Sequence, residues 1–247
     1  MQFIGNDFLP HVVHLDIADG SLNMMMNAYK DFLPRLGGYL TDKTRVHLPR
    51  LELFFRELSK YEPPYFKKRG VEEGDEAMSD PQRYRENYYR KKFGWEVGTE
   101  EGAAAVRGLV SDYVEGLMWC LEYYHDGVGS WDWYFPHLYA PLASDLVDLA
   151  VLEPSFAVGR PFTPLMQLLS VLPAASGKLL PAPYRDLMTD HLSPLAEFYP
   201  VRKWRHAKSG DIVFHERTLM FFSHFTFVFR RTLRWIRTAN ATLGRRW

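Results

Sequence analysis

One acidic side chain near the start of the chain has the chemistry of a metal ligand. Asp7 lies in the stretch GNDFLP, after a Gly-Asn pair and before an apolar pair that ends at Pro10. Gly, Asn and Pro bend the backbone, and a lone Asp among them usually serves as a turn or cap residue. The alternative is a Mg²⁺ ligand, because hard oxygen ligands hold the divalent ions that support phosphoryl chemistry. One carboxylate cannot hold such a site, and residues 1–50 offer no second acidic pair of convincing spacing.

A second candidate is the stretch GVGSWDWYFPHLYAP at residues 127–141, which is rich in aromatic residues. Its Gly and Pro content predicts a loop. An indole on a loop can offer a flat face to a nucleobase, a contact worth about 1–3 kcal/mol per base. Burial of these rings in the core is the alternative. Trp131 and Trp133 lie two residues apart, so in an extended segment both would point the same way.

The elements that would position these residues are mainly helices. Apolar residues recur at helical spacing in several stretches, and Ser21 is placed to cap the first of them. Pro49 and Pro81 suit first-turn positions. Helices are predicted over residues 20–36, 49–61, 80–93, about 106–126, a short stretch from 163, and 183–190.

The connecting segments predict an irregular fold. Residues 37–48 are typical of a turn with short extended pieces, and residues 62–79 combine prolines, glycines and acidic residues in what is predicted to be a solvated loop. The fold class is therefore mainly α, an irregular multi-helix domain with few short strands and long loops rich in Pro and aromatic residues.

Composition limits the compartment and the class of protein. The 247 residues are 47% hydrophobic and 15% aromatic, which is enough for a self-sufficient core. The single cysteine, Cys120, cannot form an internal disulfide, and its apolar surroundings predict a buried thiol in a reducing compartment. No signal sequence is expected, and the apolar run at residues 219–229 is too short to span a bilayer.

Charge divides the chain into two parts. Residues 201–247 contain eleven Lys and Arg against two Asp and Glu, so residues 1–200 carry nine net negative charges. We therefore expect a domain over residues 1–200 and a separate basic tail. Two interpretations of the tail remain open: sequence foreign to the native protein, such as read-through of a retained intron, or an added basic helix that faces RNA or a membrane surface.

Six stretches, in one order and with compatible spacing, carry a family resemblance. They are IGNDFLP at 4–10, GGYLTD at 37–42, NYYRKKFG at 87–94, YVEGLMWCLEYYHDGVGSWDWYFPHLYAP at 113–141, GRPFTPLMQLLSVLPAAS at 159–176 and LLPAPYRDLMTDHLSPLAEFYP at 179–200. Together they resemble the Xrn family of 5′→3′ exoribonucleases, in the helical back half of the catalytic core. The stretches LPRLELFFRELSKYE at 48–62 and LPAAS at 172–176, followed by LLPAPY, look more like the cytoplasmic member than the nuclear one, which implies a cytoplasmic location.

The resemblance implies roles for both candidate sites. Asp7 looks like the last in sequence of the acidic residues that hold catalytic Mg²⁺ in the family. Trp131 or Trp133 looks like the indole that stacks on the 5′-terminal base. The implied reaction is Mg²⁺-dependent hydrolysis of single-stranded RNA with a 5′ monophosphate, one nucleotide at a time, as in mRNA decay.

The departures from the family pattern matter equally. Family members carry several hundred residues before the GNDF motif, including the other metal carboxylates, so the missing N-terminal nuclease half is an implied partner and the lone chain is expected to be a poor nuclease. Leu138 and Leu142 stand where the family has His and Arg. The alternative function is a truncated, non-catalytic fragment that binds RNA or protein. No membrane partner is expected.

Overall fold

The computed structural model describes residues 2–74, 79–193, 195, 196 and 199, and these residues form seven α-helices and one short hairpin. The hairpin pairs β1 (Thr41–Asp42) with β2 (Arg45–Val46) in antiparallel register. This confirms the mainly helical prediction with few strands. The helices are α1 (Ser21–Leu36), α2 (Leu48–Leu58), α3 (Glu62–Glu73), α4 (Pro81–Phe93), α5 (Glu100–Asp126), α6 (Pro164–Val171) and α7 (Ala182–Thr189).

The chain divides into two compact units after Gly159, and each unit has its own apolar core. The first unit contains the hairpin and α1 to α5, and the second contains α6 and α7. The second core consists of Leu169, Leu180, Met188, Leu195 and Tyr199. The domain boundary predicted at residue 200 and the basic tail lie outside the described residues, so that division stays a prediction.

The long helix α5 is the central element of the first unit. Thr99 caps it, because its hydroxyl oxygen accepts the N–H of Gly102 at 3.0 Å. Leu109, Tyr113 and Cys120 on this helix are fully buried. Burial raises the pKa of the Cys120 thiol to about 12, which keeps it protonated at neutral pH. The predicted buried thiol is confirmed.

The prediction of a loop over residues 62–79 is wrong for the first part of this stretch, which forms the helix α3. Two prolines lie in the first turn of this helix, where a missing N–H leaves no intrahelical bond unmade. Phe66 is buried and stacks on Tyr84 of α4, with ring centroids 4.2 Å apart. Tertiary packing therefore stabilises a helix where proline, glycine and charge predict a loop. Residues 75–78 of the same stretch lie outside the described residues.

The predicted cap at Ser21 is also wrong. Gly20 is the N-cap of α1, in a left-handed conformation with φ of 72° and without a side-chain cap bond. The Ser21 hydroxyl instead donates to the backbone oxygen of His14 at 3.2 Å. Ser21 therefore fixes the segment that precedes α1, and that segment carries Asp7.

Candidate functional site

The turn at residues 5–10, called the Asp7 turn below, is held by Asn6. The Asn6 side-chain oxygen accepts the N–H groups of Phe8 and Leu9, each at 2.8 Å, and the Asn6 N–H donates to the Leu9 oxygen at 3.0 Å. Asp7 is exposed, and its carboxylate makes no hydrogen bond within the described residues. Because the Asn6 side chain makes the hydrogen bonds that form the turn, the Asp7 carboxylate is available to a ligand.

Two contacts fix the Asp7 turn to α5. The Tyr113 hydroxyl donates to the backbone oxygen of Pro10 at 3.1 Å, and the side-chain nitrogen of Asn6, Nδ2, donates to the Cys120 sulfur at 3.7 Å. Leu9 is buried in the same core. The turn is therefore supported from its buried side while Asp7 faces outward.

Aromatic rings connect the Asp7 turn to the segment at residues 127–139, called the tryptophan loop below. Phe8 packs edge-on against Trp119 and Tyr123, with each pair of ring centroids 5.0 Å apart. Trp119 stacks on Trp133 at 4.7 Å and on Tyr123 at 5.2 Å. These three rings, Tyr123, Trp119 and Trp133, form an aromatic stack. The structure thus brings the residue after Asp7 and one of the two predicted tryptophans into one set of contacts.

Ser130 shapes the tryptophan loop. Its buried hydroxyl accepts the N–H groups of Asp132 at 3.2 Å and Trp133 at 3.1 Å, and its backbone oxygen accepts the Trp119 indole N–H at 3.1 Å. The loop is consequently folded around Ser130 and is not an extended strand. The two tryptophans have different surroundings: Trp131 is 42% exposed, whereas Trp133 is half-buried against Trp119.

Gly116 of α5 lies where the Asp7 turn and the tryptophan loop cross the helix. A Cβ atom at this position would meet a methyl carbon of Leu9 at 2.6 Å and the Trp133 ring at 3.0 Å. A glycine inside a helix costs about 1 kcal/mol relative to alanine. The close approach of both side chains explains why glycine stands here.

A cavity of about 300 Å³ opens beside Trp133 and carries acidic groups. Asp112, Glu115 and Asp132 line it, and His137 lies 2.7 Å from the Asp112 carboxylate. Burial raises the pKa of Glu115, and the neighbouring Asp112 charge adds to the effect. A negative lining repels phosphate, but carboxylates accept hydrogen bonds from the amino groups of a base. The cavity therefore suits a nucleobase better than a phosphate.

The residues that follow, 140–149, are called the anchored segment because side chains from three helices hold it. Tyr88 of α4 donates to the Ala140 oxygen at 2.7 Å, and Tyr89 donates to the Asp145 carboxylate at 2.7 Å. Arg85 of the same helix pairs with Asp145 at 2.9 Å.

The other two anchors are carboxylates. Glu52 of α2 accepts the N–H of Leu149 at 3.0 Å. Glu62 of α3 accepts the N–H groups of Ala143 and Ser144 through one oxygen. The tryptophan loop thus leads into a segment that cannot shift without breaking contacts to α2, α3 and α4.

Within the described residues, no three His, Cys, Asp or Glu side chains are grouped in a way that could hold a metal ion. The exposed Asp7 carboxylate has the chemistry of one ligand for a hard divalent cation. The described part of the chain can therefore offer Mg²⁺ one ligand, the Asp7 carboxylate, of the several that the ion needs. In the part of the chain that the structure describes, no helix combines the length and apolar character that crossing a membrane requires.

The comparison with known proteins identifies the family. The family model of the Xrn1 helical domain matches residues 1–83 and 72–205. The chain belongs to the Xrn family. This confirms the resemblance inferred from the six sequence stretches.

Three relatives show how much of an Xrn protein the chain represents. Human (Homo sapiens) 5′-3′ exoribonuclease 1 is 33% identical over 261 residues, covering 80% of the chain and 15% of the relative. The 5′-3′ exoribonuclease 2 homolog of Drosophila melanogaster is 32% identical over 270 residues, covering 80% of the chain and 29% of the relative. Saccharomyces cerevisiae 5′-3′ exoribonuclease 1 is 43% identical over 132 residues, covering 53% of the chain and 8% of the relative. The chain thus spans less than a third of each of these relatives.

Sequence reasoning missed four residues that organise the site: Trp119, Ser130, Gly116 and Glu62. A glycine within the apolar helix α5 was the available signal for a close contact, and a serine directly before the SWDWY aromatics was the signal for a folded loop. Glu62 gave no signal, because it lies at the start of a stretch that was predicted to be solvated.

Proposed function

We propose that this chain is the helical part of a 5′→3′ exoribonuclease that hydrolyses single-stranded RNA bearing a 5′ monophosphate. In this proposal it contributes Asp7 as a Mg²⁺ ligand and a tryptophan that stacks on the terminal base. One observation carries the proposal: Phe8, next to Asp7, packs on Trp119, and Trp119 stacks on Trp133. The relatives are named as 5′-3′ exoribonucleases, which supports the same reaction.

The backbone that carries the Asp7 carboxylate is held in place. The hydrogen bonds of Asn6 to Phe8 and Leu9 hold the backbone around Asp7. The Asp7 backbone therefore has a defined position on the surface, although the carboxylate oxygens make no hydrogen bond to a described residue. Mg²⁺ requires near-octahedral oxygen coordination, so further ligands must come from outside the described residues. When bound, the ion would polarise the scissile phosphate and activate water.

Trp133 is the tryptophan that we assign to the base. Its contact with Trp119, and the bonds of Ser130 to its backbone, hold the indole plane before any RNA arrives. Every base has a flat face, so such a plane accepts any sequence. Trp131 remains the alternative, because 42% of its surface is exposed.

Fluorescence titration with a short single-stranded 5′-monophosphate RNA tests the assignment. Trp133→Ala should weaken binding roughly tenfold, the equivalent of one lost base stack, while Trp131→Ala should have a smaller effect. Equal affinities for the native chain and Trp133→Ala would contradict the assignment. A loss confined to Trp131→Ala would transfer the role to that residue.

The metal ligand is tested without relying on activity. Mn²⁺, a paramagnetic substitute for Mg²⁺, should broaden the amide signals of Phe8 and Leu9 in the native chain, and Asp7→Asn should abolish the broadening. Asp16→Asn, in the same irregular segment, is the matched control and should leave it unchanged. Broadening that persists in Asp7→Asn would contradict the proposed ligand.

The cellular context is part of the proposal. A cytoplasmic location agrees with the single buried Cys120 thiol, and a nuclease region that supplies the remaining ligands is the proposed partner. Decay of the 5′-monophosphate RNA in Mg²⁺ separates the two functions: RNA binding with no decay would place the isolated chain with the RNA-binding fragments. Decay abolished by Asp7→Ala would show that the chain forms a working nuclease site.

A further inference from the structure

Two ionisable side chains meet in the interior of the first unit without a normal hydrogen bond. The side chains of Glu62 and His14 are 0% and 1% exposed, and the His14 Nδ1 atom lies 3.8 Å from a Glu62 oxygen. Both His14 ring nitrogens and the second Glu62 oxygen are buried without a hydrogen bond of good geometry in the described residues, although the Leu58 backbone lies near His14 and the Tyr84 hydroxyl lies near Glu62. Buried polar atoms in native proteins are nearly always paired, so this cluster requires an explanation.

The pair joins the segment that carries Asp7 to the anchored segment. His14 belongs to the segment that carries Asp7, and its backbone oxygen is held by Ser21. Glu62 holds the backbone N–H groups of Ala143 and Ser144 in the anchored segment, which continues from the tryptophan loop. A change at this pair would therefore act on the segment that carries Asp7 and on the segment that continues from the tryptophan loop.

The surroundings disfavour charge on either partner. Burial raises the pKa of Glu62 to about 7, and burial lowers the pKa of His14 to about 4. Asp145, which faces Glu62, adds negative charge and is itself paired with Arg85. Tyr84 and Tyr88 of α4, Tyr65 of α3 and His11 also face the pair. The cavity that His14 borders is lined by further charged residues: Asp16, Asp19, Lys68, Arg69 and Glu72.

We propose that Glu62 is a positioning residue for the site: as an uncharged carboxylic acid packed against the His14 ring, it holds the anchored segment next to the segment that carries Asp7. A proton on the second Glu62 oxygen removes the buried charge, while the first oxygen, which lies 3.8 Å from His14, still accepts two backbone N–H groups. A carboxylate accepts the two N–H bonds more strongly, but burial of its charge without a cationic partner outweighs this gain, so ionisation loosens the anchored segment. The effect on RNA rests on the proposed function, whereas the protonation state does not.

Infrared difference spectroscopy tests the protonation state directly. The spectrum of the native chain minus that of Glu62→Gln should show one carboxylic-acid C=O band at pH about 6, and the band should disappear at pH about 8.5. Glu72→Gln, on the exposed face of the same helix, is the matched control and should leave the band in place. A missing band at pH about 6 would show an ionised Glu62 and overturn the proposal.

Binding of the 5′-monophosphate RNA tests the positioning role. Affinity of the native chain should fall several-fold as pH rises through about 7, while Glu62→Gln, which keeps the acceptor and supplies a permanent donor, should show no such fall. Identical pH profiles would overturn the positioning role. If no variant binds RNA, the proposed function fails, and amide exchange at Ala143 and Ser144 then decides the role of Glu62. The positioning role predicts exchange that is faster in the native chain than in Glu62→Gln, and only above pH about 7.

Discussion

The Asp7 turn and the tryptophan loop with its anchored segment are both irregular, but different kinds of contact hold them. Asn6 holds the turn through bonds to residues two and three positions away. The anchored segment depends on partners as distant in sequence as Glu52 and Leu149, which are 97 positions apart. The difference indicates that the proposed metal ligand has a locally specified position, whereas the proposed base-stacking surface requires the whole first unit to be folded.

The two regions meet at α5, and this contact limits their independence. Gly116 receives Leu9 from the turn and Trp133 from the loop. Substitutions can therefore be chosen that disturb one region, the other region, or the point where they cross.

The largest effect is expected from Glu62→Ala. Its loss leaves the N–H groups of Ala143 and Ser144 unpaired, at a cost of about 1–3 kcal/mol each, so the free energy of unfolding should fall by about 3 kcal/mol. Urea denaturation measures it. Glu72→Ala on the same helix is the control and should change stability by less than about 0.5 kcal/mol. Similar losses for both variants would show that the anchored segment does not depend on its long-range bonds.

Gly116→Ala should reduce stability by about 1–3 kcal/mol, because the new methyl group overlaps Leu9 and approaches Trp133. Gly108→Ala is a matched control on the same helix, where a Cβ atom would meet nothing within 4 Å. That variant should stabilise α5 by up to about 1 kcal/mol. If thermal unfolding gave both variants the same sign, the crossing at Gly116 would not be tightly packed.

Asn6→Ala should have a smaller and local effect of about 1 kcal/mol, because the Phe8 and Leu9 N–H groups can turn toward water at the partly exposed turn. Hydrogen exchange should accelerate at these two amides and remain unchanged in residues 140–149. Faster exchange throughout the anchored segment would contradict the separation of the two regions.

The smallest effect is the dependence of stability on pH. Because folding raises the pKa of Glu62 to about 7, the folded state holds a proton that the unfolded state has released, and this stabilisation is lost as pH rises through about 7. The folded pKa of His14 is lowered from 6.5 to about 4, so its own contribution is lost as pH falls from about 6.5 to about 4, and Glu62→Gln retains this contribution. Between pH about 6 and 8, the native chain should lose roughly 1 kcal/mol relative to Glu62→Gln in urea denaturation.

The sequence predicted elements that local signals specify. Asp80 and Gly94 mark the two ends of α4, and the apolar spacing before Gly127 marks α5. The same reasoning failed for α3, since two prolines in a first turn look like two prolines in a loop. Local pattern cannot distinguish these cases, because the packing of Phe66 on Tyr84 decides between them.

The candidate site divides in the same way. Asp7 and the tryptophan pair could be named from short motifs, and the position of Asp7 depends on neighbours in the chain. The preference for Trp133 could not be predicted, because it rests on Trp119 beneath its ring. Glu62 and Ala143 are 81 positions apart, and only the folded chain shows that they meet.

The central claim is that Trp133, held by the folded unit next to the Asp7 turn, receives the terminal base. The most direct test uses a 5′-monophosphate RNA with the fluorescent base 2-aminopurine at its first position. Stacking should quench its fluorescence on binding to the native chain and to Trp131→Ala, and the quenching should be lost in Trp133→Ala. Quenching of equal depth in Trp133→Ala and the native chain would contradict the account.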